Sequence, residues 1–210
     1  MDATNRRHLL GFLRDPYDVL NNIGLVRWVS GLPITHMYAG LHASSIPFPE
    51  RLERLTRKPL PTDKFRQMDP GTLGREFIEW YADHGLEWSH MATTAYDLSQ
   101  HGSWPIARFG KLHDLHHVVT GIPPTRLGEI ELQGLILGSG HPDFFSVLNV
   151  LLLPFLAVKA GSLTEGVLAF LRGVQRGRGC EDLLLFPYED YWEFTLSGVR
   201  DLLGLPHPGV

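Results

Sequence analysis

Three histidines and an aspartate occur within five consecutive residues of the chain, in the segment HDLHH at positions 113–117. An α-helix turns about 100° per residue, so side chains four positions apart share one face and His113 and His117 project together. Asp114 lies on the flank of that face. Imidazole nitrogens with a carboxylate oxygen form a ligand set that suits zinc, iron or manganese. The spacing favours a metal site, and the alternative is a surface or core helix face that is rich in histidine.

The turn that follows this segment supplies a further candidate ligand. Two prolines interrupt the helix, and an antiparallel return would bring back Glu129, which lies twelve residues after His117. Glu131 is expected to point elsewhere. His116 lies on another part of the helix and is expected beside the site or in solvent. The predicted metal ligands, which would also be the catalytic residues of an enzyme, are His113, Asp114, His117 and Glu129.

Two other metal motifs share features with this segment. Zinc peptidases need a glutamate as general base where this chain has Asp114, and aspartate is one methylene shorter, so peptidase chemistry is disfavoured. A His-Asp doublet is also typical of HD-domain phosphohydrolases, whose site needs an additional upstream histidine and a distant downstream aspartate. The residues that could serve there, without a spacing that singles them out, are His84, His90, His101 and Asp143. A phosphohydrolase therefore stays as a weaker alternative.

Helices are the elements that would position these side chains. Apolar residues keep helical spacing between Asp69, a suitable N-cap, and Gly85, a suitable end. Similar spacing predicts helices over residues 87–100, 107–121, 126–137, 144–158, 163–178 and 188–204. The sequence predicts an all-α fold, a single-domain helical bundle over residues 1–210. Its first part, residues 1–67, holds N-terminal helices and an exposed connection, and residues 68–203 form the core.

Composition excludes several classes of function. The formal net charge of -4 gives no basic surface for nucleic acid. Cys180 is the one cysteine, so no intramolecular disulfide can form. The N-terminal segment lacks the apolar core of a secretory signal. An organelle presequence is also not expected, because acidic residues come early, at Asp2, Asp15 and Asp18. These features predict a cytoplasmic protein without a targeting sequence.

The most apolar run covers residues 144–158, which is shorter than the roughly 20 residues that a spanning helix needs. Pro154 also interrupts it. We expect this run to form a buried helix or a segment that lies at a membrane surface rather than one that crosses a bilayer.

Three ordered segments resemble the coenzyme Q biosynthesis protein 4 family. The mark of that family is His-Asp, two residues, His, eleven residues and Glu, which positions 113–129 match without departure. The segment PGTLGREF at 70–77 agrees as well. So does a late Tyr-Glu, two residues, Trp-Glu pattern, which consists of Tyr188, Glu189, Trp192 and Glu193. The likeness covers roughly residues 68–203 and is loose between 134 and 163.

This resemblance implies a role in ubiquinone synthesis, with a divalent metal bound at the His-Asp-His-Glu motif. It further implies an all-helical homodimer that lies against the inner face of a membrane and works with other ubiquinone biosynthesis proteins. Two roles are implied for the family. One is an enzyme of the lyase type that replaces the carboxylate at ring carbon one of a polyprenylated 4-hydroxybenzoate with a hydroxyl, an oxidative decarboxylation. The other is a non-catalytic scaffold that binds the lipid and organises the biosynthetic complex.

Four further residues are candidates for substrate binding. Arg75 or Arg126 could pair with the substrate carboxylate, because a guanidinium binds it through two hydrogen bonds. Leu152 and Phe155 could line a tunnel for the isoprenoid tail. For all four residues, ordinary packing or surface roles are the alternative.

Overall fold

The computed structural model describes residues 3–18, 50–85, 104–140 and 144–206. Within these ranges it contains nine α-helices, a short 3₁₀ helix at Tyr188–Asp190 and no strand, which confirms the predicted all-α class. The α-helices, in chain order, are α1 (Ala3–Arg14), α2 (Glu50–Arg57), α3 (Thr62–Phe65), α4 (Leu73–Asp83), α5 (Trp104–Thr120), α6 (Arg126–Gly138), α7 (Phe144–Ala160), α8 (Leu163–Gly177) and α9 (Leu196–Leu203).

Helix α4 begins later than the sequence predicts. Asp69 is not its N-cap; that position belongs to Thr72, whose hydroxyl donates a hydrogen bond to the Asp69 carbonyl at 2.7 Å. The helix begins late because Gly71 adopts a φ of 84°, which a helix does not allow. Gly85 follows the last turn with a φ of 62°, so the predicted end is confirmed. The helix expected over residues 87–100 lies outside the described residues.

The stretch expected as an exposed connection instead includes α2 and α3. Leu52 and Thr56, one turn apart on α2, are buried. Leu60 is also buried, and Phe65 is fully so, with its ring centroid 4.7 Å from that of Trp192. Prolines and charged residues are so frequent in this stretch that its few buried apolar residues do not stand out in the sequence.

Two hydrophobic clusters form the core, and α6 belongs to both. The larger cluster joins α4, α5, α6 and α9 and includes Phe65, Phe77, Leu112, Leu115, Leu132, Leu135, Leu183, Trp192 and Val199. The smaller cluster packs α1, α7 and α8 against α6 and consists of Phe12, Ile130, Leu156, Ala157, Ala169 and Phe170. Since α6 carries Glu129 in its first turn, the candidate site lies on a helix that is held from both sides.

Helices α6 and α8 approach so closely that their backbones touch. A Cβ added to Gly134 would lie 2.2 Å from the Phe170 carbonyl oxygen, and one added to Gly173 would lie 1.9 Å from that of Glu131. Only glycine fits these positions. The Glu131 side chain also reaches α8, where its carboxylate lies 2.7 Å from the Arg176 guanidinium. The helix pair therefore forms a rigid support for Glu129.

A buried ion pair fixes α5 to the C-terminal segment. Arg108 is fully buried, and its two terminal nitrogens donate to the Glu189 carboxylate at 3.0 and 3.2 Å. The guanidinium also donates to the carbonyl oxygens of Leu184, at 2.6 Å, and Phe186, at 2.7 Å. Burial raises the pKa of Glu189, but the charge of Arg108 and its hydrogen bonds outweigh burial and lower it. Both partners are thus charged and satisfied.

The apolar run at 144–158 lies in α7, which continues past Pro154 to Ala160. One side of this helix packs on the smaller cluster, whereas Leu151 and Val158 are 73% and 61% exposed. None of the described helices has the length and hydropathy needed to span a membrane.

Candidate metal centre

The fold brings together three of the four predicted ligands. Nε2 of His113 lies 3.1 Å from one Glu129 carboxylate oxygen, and Nε2 of His117 lies 3.1 Å from the other. A ligand atom from each of these residues falls within 4.8 Å of the other two, and no other such group occurs among the described residues. Two imidazole nitrogens and a carboxylate oxygen therefore converge on one point.

The end of α5 places His117 by satisfying the carbonyls that a helix terminus leaves free. Gly121 ends the helix with a φ of 68°. Arg200 donates to the carbonyl oxygens of Val118 and Val119 at 3.0 and 2.9 Å, and Arg176 donates to that of Thr120 at 2.9 Å. These bonds replace the missing helical partners, so the last turn of α5 is held firmly.

The start of α6 places Glu129 in a similar way. Thr125 is the N-cap, and its hydroxyl accepts a hydrogen bond from the Gly128 backbone nitrogen at 3.1 Å. Glu129 lies in the first turn, where the positive end of the helix dipole stabilises a carboxylate.

The hydrogen bonding of His117 fits a bound cation. Its Nδ1 lies 2.9 Å from the Ile122 carbonyl oxygen, which can only accept, so Nδ1 carries the proton. Nε2 is buried without a hydrogen-bond partner and lies 3.1 Å from the Glu129 carboxylate. A lone pair on Nε2 and a carboxylate oxygen at this separation need a positive charge between them, which is either a proton or a metal ion. A metal ion meets that need, and a carbonyl bound to the other ring nitrogen is the usual support of a metal-bound histidine.

His113 and Glu129 are coupled electrostatically. Burial alone would lower the pKa of His113, but the charge and hydrogen bond of Glu129 outweigh it and raise the pKa to about 9. Burial would raise the pKa of Glu129, whereas the two histidines lower it well below its usual range. The carboxylate is therefore anionic at neutral pH, as a metal ligand must be.

Asp114, the fourth predicted ligand, does not join the group of three. Its carboxylate instead accepts a short hydrogen bond from the hydroxyl of Tyr81, which comes from α4. The charge of Asp114 still contributes to raising the pKa of His113, so the carboxylate lies beside the site. Burial and the charge of Asp114 together raise the pKa of Tyr81, which keeps the phenol protonated as the donor.

Helix α4 also supplies an aromatic wall that the sequence analysis did not assign to the site. The Trp80 ring lies parallel to that of His117, with centroids 5.9 Å apart and an interplanar angle of 10°. Trp80 also stacks with His84, and their ring centroids are 4.3 Å apart. The Nδ1 atom of His84 lies 2.8 Å from the Trp80 carbonyl oxygen. Of the residues considered for a phosphohydrolase, His84 is thus outside the metal group, and the other three lie outside the described residues.

His116 is buried rather than solvent-facing. Its Nε2 lies 3.3 Å from the Leu183 carbonyl oxygen, and its ring packs 5.9 Å from that of Tyr188. Burial, followed by the nearby His113, lowers the pKa of His116 to about 3. A neutral His116 therefore contributes packing and a hydrogen bond between α5 and the C-terminal segment.

The two candidate arginines have different surroundings. Arg75 is tied to Glu79 at 2.5 Å and to the Arg66 carbonyl at 2.7 Å. Arg126 begins α6, one turn before Glu129, with its side chain 53% exposed. The Arg126 guanidinium lies 5.6 Å from the Tyr17 ring centroid, and burial, then Glu129, raises the pKa of that phenol. Arg126 and Tyr17 therefore lie next to the candidate centre.

Leu152 and Phe155, the candidates for a tail site, are partly buried. Both pack against the smaller hydrophobic cluster, and the Phe155 ring lies 6.0 Å from that of Phe12. The hydroxyl of Tyr17 donates to the carbonyl oxygen of the neighbouring Leu156 at 2.9 Å, which joins this part of α7 to the residues beside Glu129.

The fold and the site define an all-α protein with a candidate centre of two histidines and one carboxylate. Residues 48–208 match the family described as Coenzyme Q (ubiquinone) biosynthesis protein Coq4. The chain therefore belongs to this family of ubiquinone biosynthesis proteins, and the resemblance found in its motifs is confirmed.

Individual relatives agree with this assignment. The chain is 26% identical over 157 residues to the mitochondrial ubiquinone biosynthesis protein COQ4 homolog of Rattus norvegicus, covering 74% of this chain and 58% of the relative. It is 32% identical over 80 residues to the mitochondrial COQ4 of Yarrowia lipolytica, covering 38% of this chain and 30% of the relative. The chain thus spans less than two thirds of the length of these curated relatives.

A solved structure supports the fold. A Nostoc punctiforme PCC 73102 protein named for ubiquinone biosynthesis superposes with a TM-score of 0.68 at 19% identity, covering 98% of this chain and 100% of that one.

Proposed function

We propose that this chain binds a divalent metal ion through His113, His117 and Glu129 and acts on a polyprenylated 4-hydroxybenzoate in ubiquinone biosynthesis. The reaction replaces the carboxylate at ring carbon one with a hydroxyl. The observation that carries this proposal is the position of His117 Nε2, which is buried without a hydrogen-bond partner 3.1 Å from the Glu129 carboxylate.

The donor set favours iron over the other candidate metals. Two histidines and one carboxylate with open positions form the ligand set of non-haem iron oxygenases. Loss of carbon dioxide with entry of a hydroxyl is a two-electron oxidation of the ring. Dioxygen would supply the oxygen atom, and its second atom would leave as water with two electrons from an external reductant. An iron ion held by His113, His117 and Glu129 would supply the activation of dioxygen. Zinc or manganese would fit the same ligands.

Residues beside the centre can orient the substrate. Arg126 is the better of the two arginines for binding the ring carboxylate, because it lies one turn from Glu129 and has an exposed guanidinium. To bind the substrate carboxylate, Arg126 would give up two long hydrogen bonds, at 3.3 Å to Asp15 and 3.2 Å to the Lys159 carbonyl oxygen. Arg75 is held by shorter bonds.

The isoprenoid tail would leave this centre along α7, where Leu152 and Phe155 offer apolar surface. We further propose that the protein lies against the inner face of a membrane, where such a lipid is found, and that it acts there as a homodimer with other ubiquinone biosynthesis proteins. Detergent-free purification and lipid analysis test the tail site: the bound prenyl lipid should be lost when Leu152 and Phe155 are both changed to aspartate.

The activity is tested by incubating the iron-loaded protein with a prenylated 4-hydroxybenzoate and a reductant such as ascorbate under ¹⁸O₂. The expected product is the hydroquinone with one added ¹⁸O atom, together with carbon dioxide. Glu129→Gln removes a charged ligand and should abolish both metal content and product. Glu181→Gln, an exposed carboxylate remote in sequence from the motif, is the matched control and should retain both. Full turnover by the metal-free Glu129 variant would refute the proposal.

A second function is favoured by the exposed leucines of α7 and α8. Leu151, Leu168 and Leu171 are 73%, 51% and 54% exposed, which suits a scaffold that binds lipid and partner proteins while the metal is structural. The identity of the metal separates the two functions. Iron or manganese with an exchangeable position supports the enzyme, and a closed zinc site supports the scaffold.

A further inference from the structure

Tyr17 belongs to a part of the chain that the family match does not include, and yet it lies beside the candidate centre. The match covers residues 48–208, whereas Tyr17 follows α1. The carbon of the Arg126 guanidinium lies 5.6 Å from the centroid of the Tyr17 ring, and Arg126 is one turn before Glu129 on α6. Burial, and after it the charge of Glu129, raises the pKa of the phenol. The N-terminal segment thus adds a residue to the surroundings of Glu129.

Several contacts fix the position of the Tyr17 ring, which is half-buried. Its hydroxyl donates a hydrogen bond to the Leu156 carbonyl oxygen at 2.9 Å, and its backbone nitrogen donates to Oδ1 of Asp15 at 3.1 Å. The ring also packs against the smaller hydrophobic cluster, to which α1 contributes Phe12. These contacts tie the ring to α7 and to the end of α1, so it forms a fixed surface beside the start of α6.

The contacts of Arg126 differ in whether a bound carboxylate would replace them. Its terminal nitrogens donate to Oδ2 of Asp15 at 3.3 Å and to the Lys159 carbonyl oxygen at 3.2 Å, and a substrate carboxylate needs these same donors. A guanidinium is planar, and it can rest on an aromatic ring while its N–H groups stay available in its own plane. The contact with Tyr17 can therefore persist after the two hydrogen bonds are exchanged.

We propose that Tyr17 is a positioning residue that holds the Arg126 guanidinium in place while it exchanges these hydrogen bonds for the carboxylate of the substrate. This inference rests on the proposed function and deepens it. Ordering a long, mobile side chain on binding costs free energy, and a guanidinium that is already held avoids much of that cost. Tyr17 should therefore increase the preference for a ring with a carboxylate over the same ring without the charge.

The test compares a geranylated 4-hydroxybenzoate with its methyl ester, which has the same ring and tail but no charged carboxylate. Calorimetric titration of the metal-loaded chain under nitrogen gives the ratio of the two affinities without turnover. Tyr17→Leu keeps an apolar side chain but removes the aromatic face. It should lower the ratio by about two- to tenfold, because Arg126 must then be ordered on binding. Tyr17→Phe loses only the hydroxyl and should keep the wild-type ratio, and neither variant should change the affinity for the ester.

Tyr191→Leu is the matched control. Tyr191 is also half-buried, but it stacks on Phe186 in the C-terminal segment, with ring centroids 5.1 Å apart, and its loss should leave the ratio unchanged. Arg126→Gln should lower the ratio, and adding Tyr17→Leu to it should lower the ratio no further. Arg126→Lys keeps the charge without the planar group, so it should also lower the ratio, and it decides the question where Tyr17→Leu folds poorly.

The outcomes separate this inference from the proposed function. If the wild type does not prefer the acid to the ester, Arg126 does not bind the carboxylate, and the inference fails with that part of the proposed function. Tyr17 has no positioning role if Tyr17→Leu or Arg126→Lys keeps the wild-type ratio, if Tyr17→Phe loses as much as Tyr17→Leu, or if both ligands lose affinity equally. If the preference depends on Tyr17 but no hydroquinone forms, the proposed reaction fails and the inference stands.

Discussion

The ion pair between Arg108 and Glu189 makes the support of α5 testable by one substitution. Glu189→Gln keeps the shape of the side chain and removes its charge, leaving the fully buried Arg108 guanidinium with carbonyl partners alone. The Glu189 side chain is 9% exposed, so solvent cannot replace the lost contact. Removing one partner of a buried pair costs about 3–5 kcal/mol. Of a total stability of roughly 5–15 kcal/mol, this is a large part.

Urea denaturation followed by circular dichroism measures that loss at pH 7. The control is Glu193→Gln in the same sequence motif. Glu193 pairs with Lys64 at 2.6 Å, but the two side chains are 68% and 61% exposed, so its midpoint should not move. A free-energy loss below about 1 kcal/mol for the Glu189 variant, or equal losses in both variants, would refute this account of the fold, given the expected loss for a buried pair.

The same pair predicts a pH dependence. Glu189 has a lowered pKa in the folded chain, so its contribution is fully present above its ordinary pKa of 4.5 and is lost as pH falls through the lower folded value. The stability difference between wild type and Glu189→Gln should therefore be constant near neutral pH and shrink below pH 4.5. A difference that grows on acidification would show that the charge of Glu189 is not what stabilises the fold.

Three further substitutions test the elements that carry the ligands, each by its urea midpoint. Gly173→Ala should destabilise the fold by about 1–3 kcal/mol, because a Cβ there would lie 1.9 Å from the Glu131 carbonyl oxygen; Gly179→Ala, with open space around it, is the control and should be neutral. Thr125→Ala removes the cap of α6 and should cost about 1 kcal/mol. Gly121→Ala places a side chain at a φ of 68° and should cost about 1–2 kcal/mol.

The proximity of His113, His117 and Glu129 could be predicted from the sequence because it follows from local geometry. His113 and His117 are one helical turn apart, and a short turn leads directly to Glu129, so no long-range packing had to be known. The helices around them were predicted for the same reason. The predicted start of α4 was wrong because the sequence offers more than one suitable N-cap. Asp69 is one of them, but the positive φ of Gly71 prevents a helix there, and α4 begins at Leu73.

The surroundings of these three residues could not be predicted, because they depend on how distant helices cross. Trp80 and Tyr81 have the spacing of ordinary core residues on α4, and nothing in that spacing shows that they meet α5. The bond that Asp114 makes to Tyr81 joins residues 33 positions apart. Glu189 likewise meets Arg108 from 81 positions away. Asp114 and Glu189 could be singled out by their sequence motifs, but only the tertiary structure shows which residues they bind.

The candidate centre lies between two helix ends, whose dipoles act on its side chains. His117 lies in the last turn of α5, where the negative end of the helix dipole favours a positive charge, and Glu129 lies in the first turn of α6, where the positive end favours an anion. Both ends are fixed, by Arg176 and Arg200 at α5 and by the Thr125 cap at α6. The three side chains placed in this field, two imidazoles and one carboxylate, form a ligand set that suits a divalent ion.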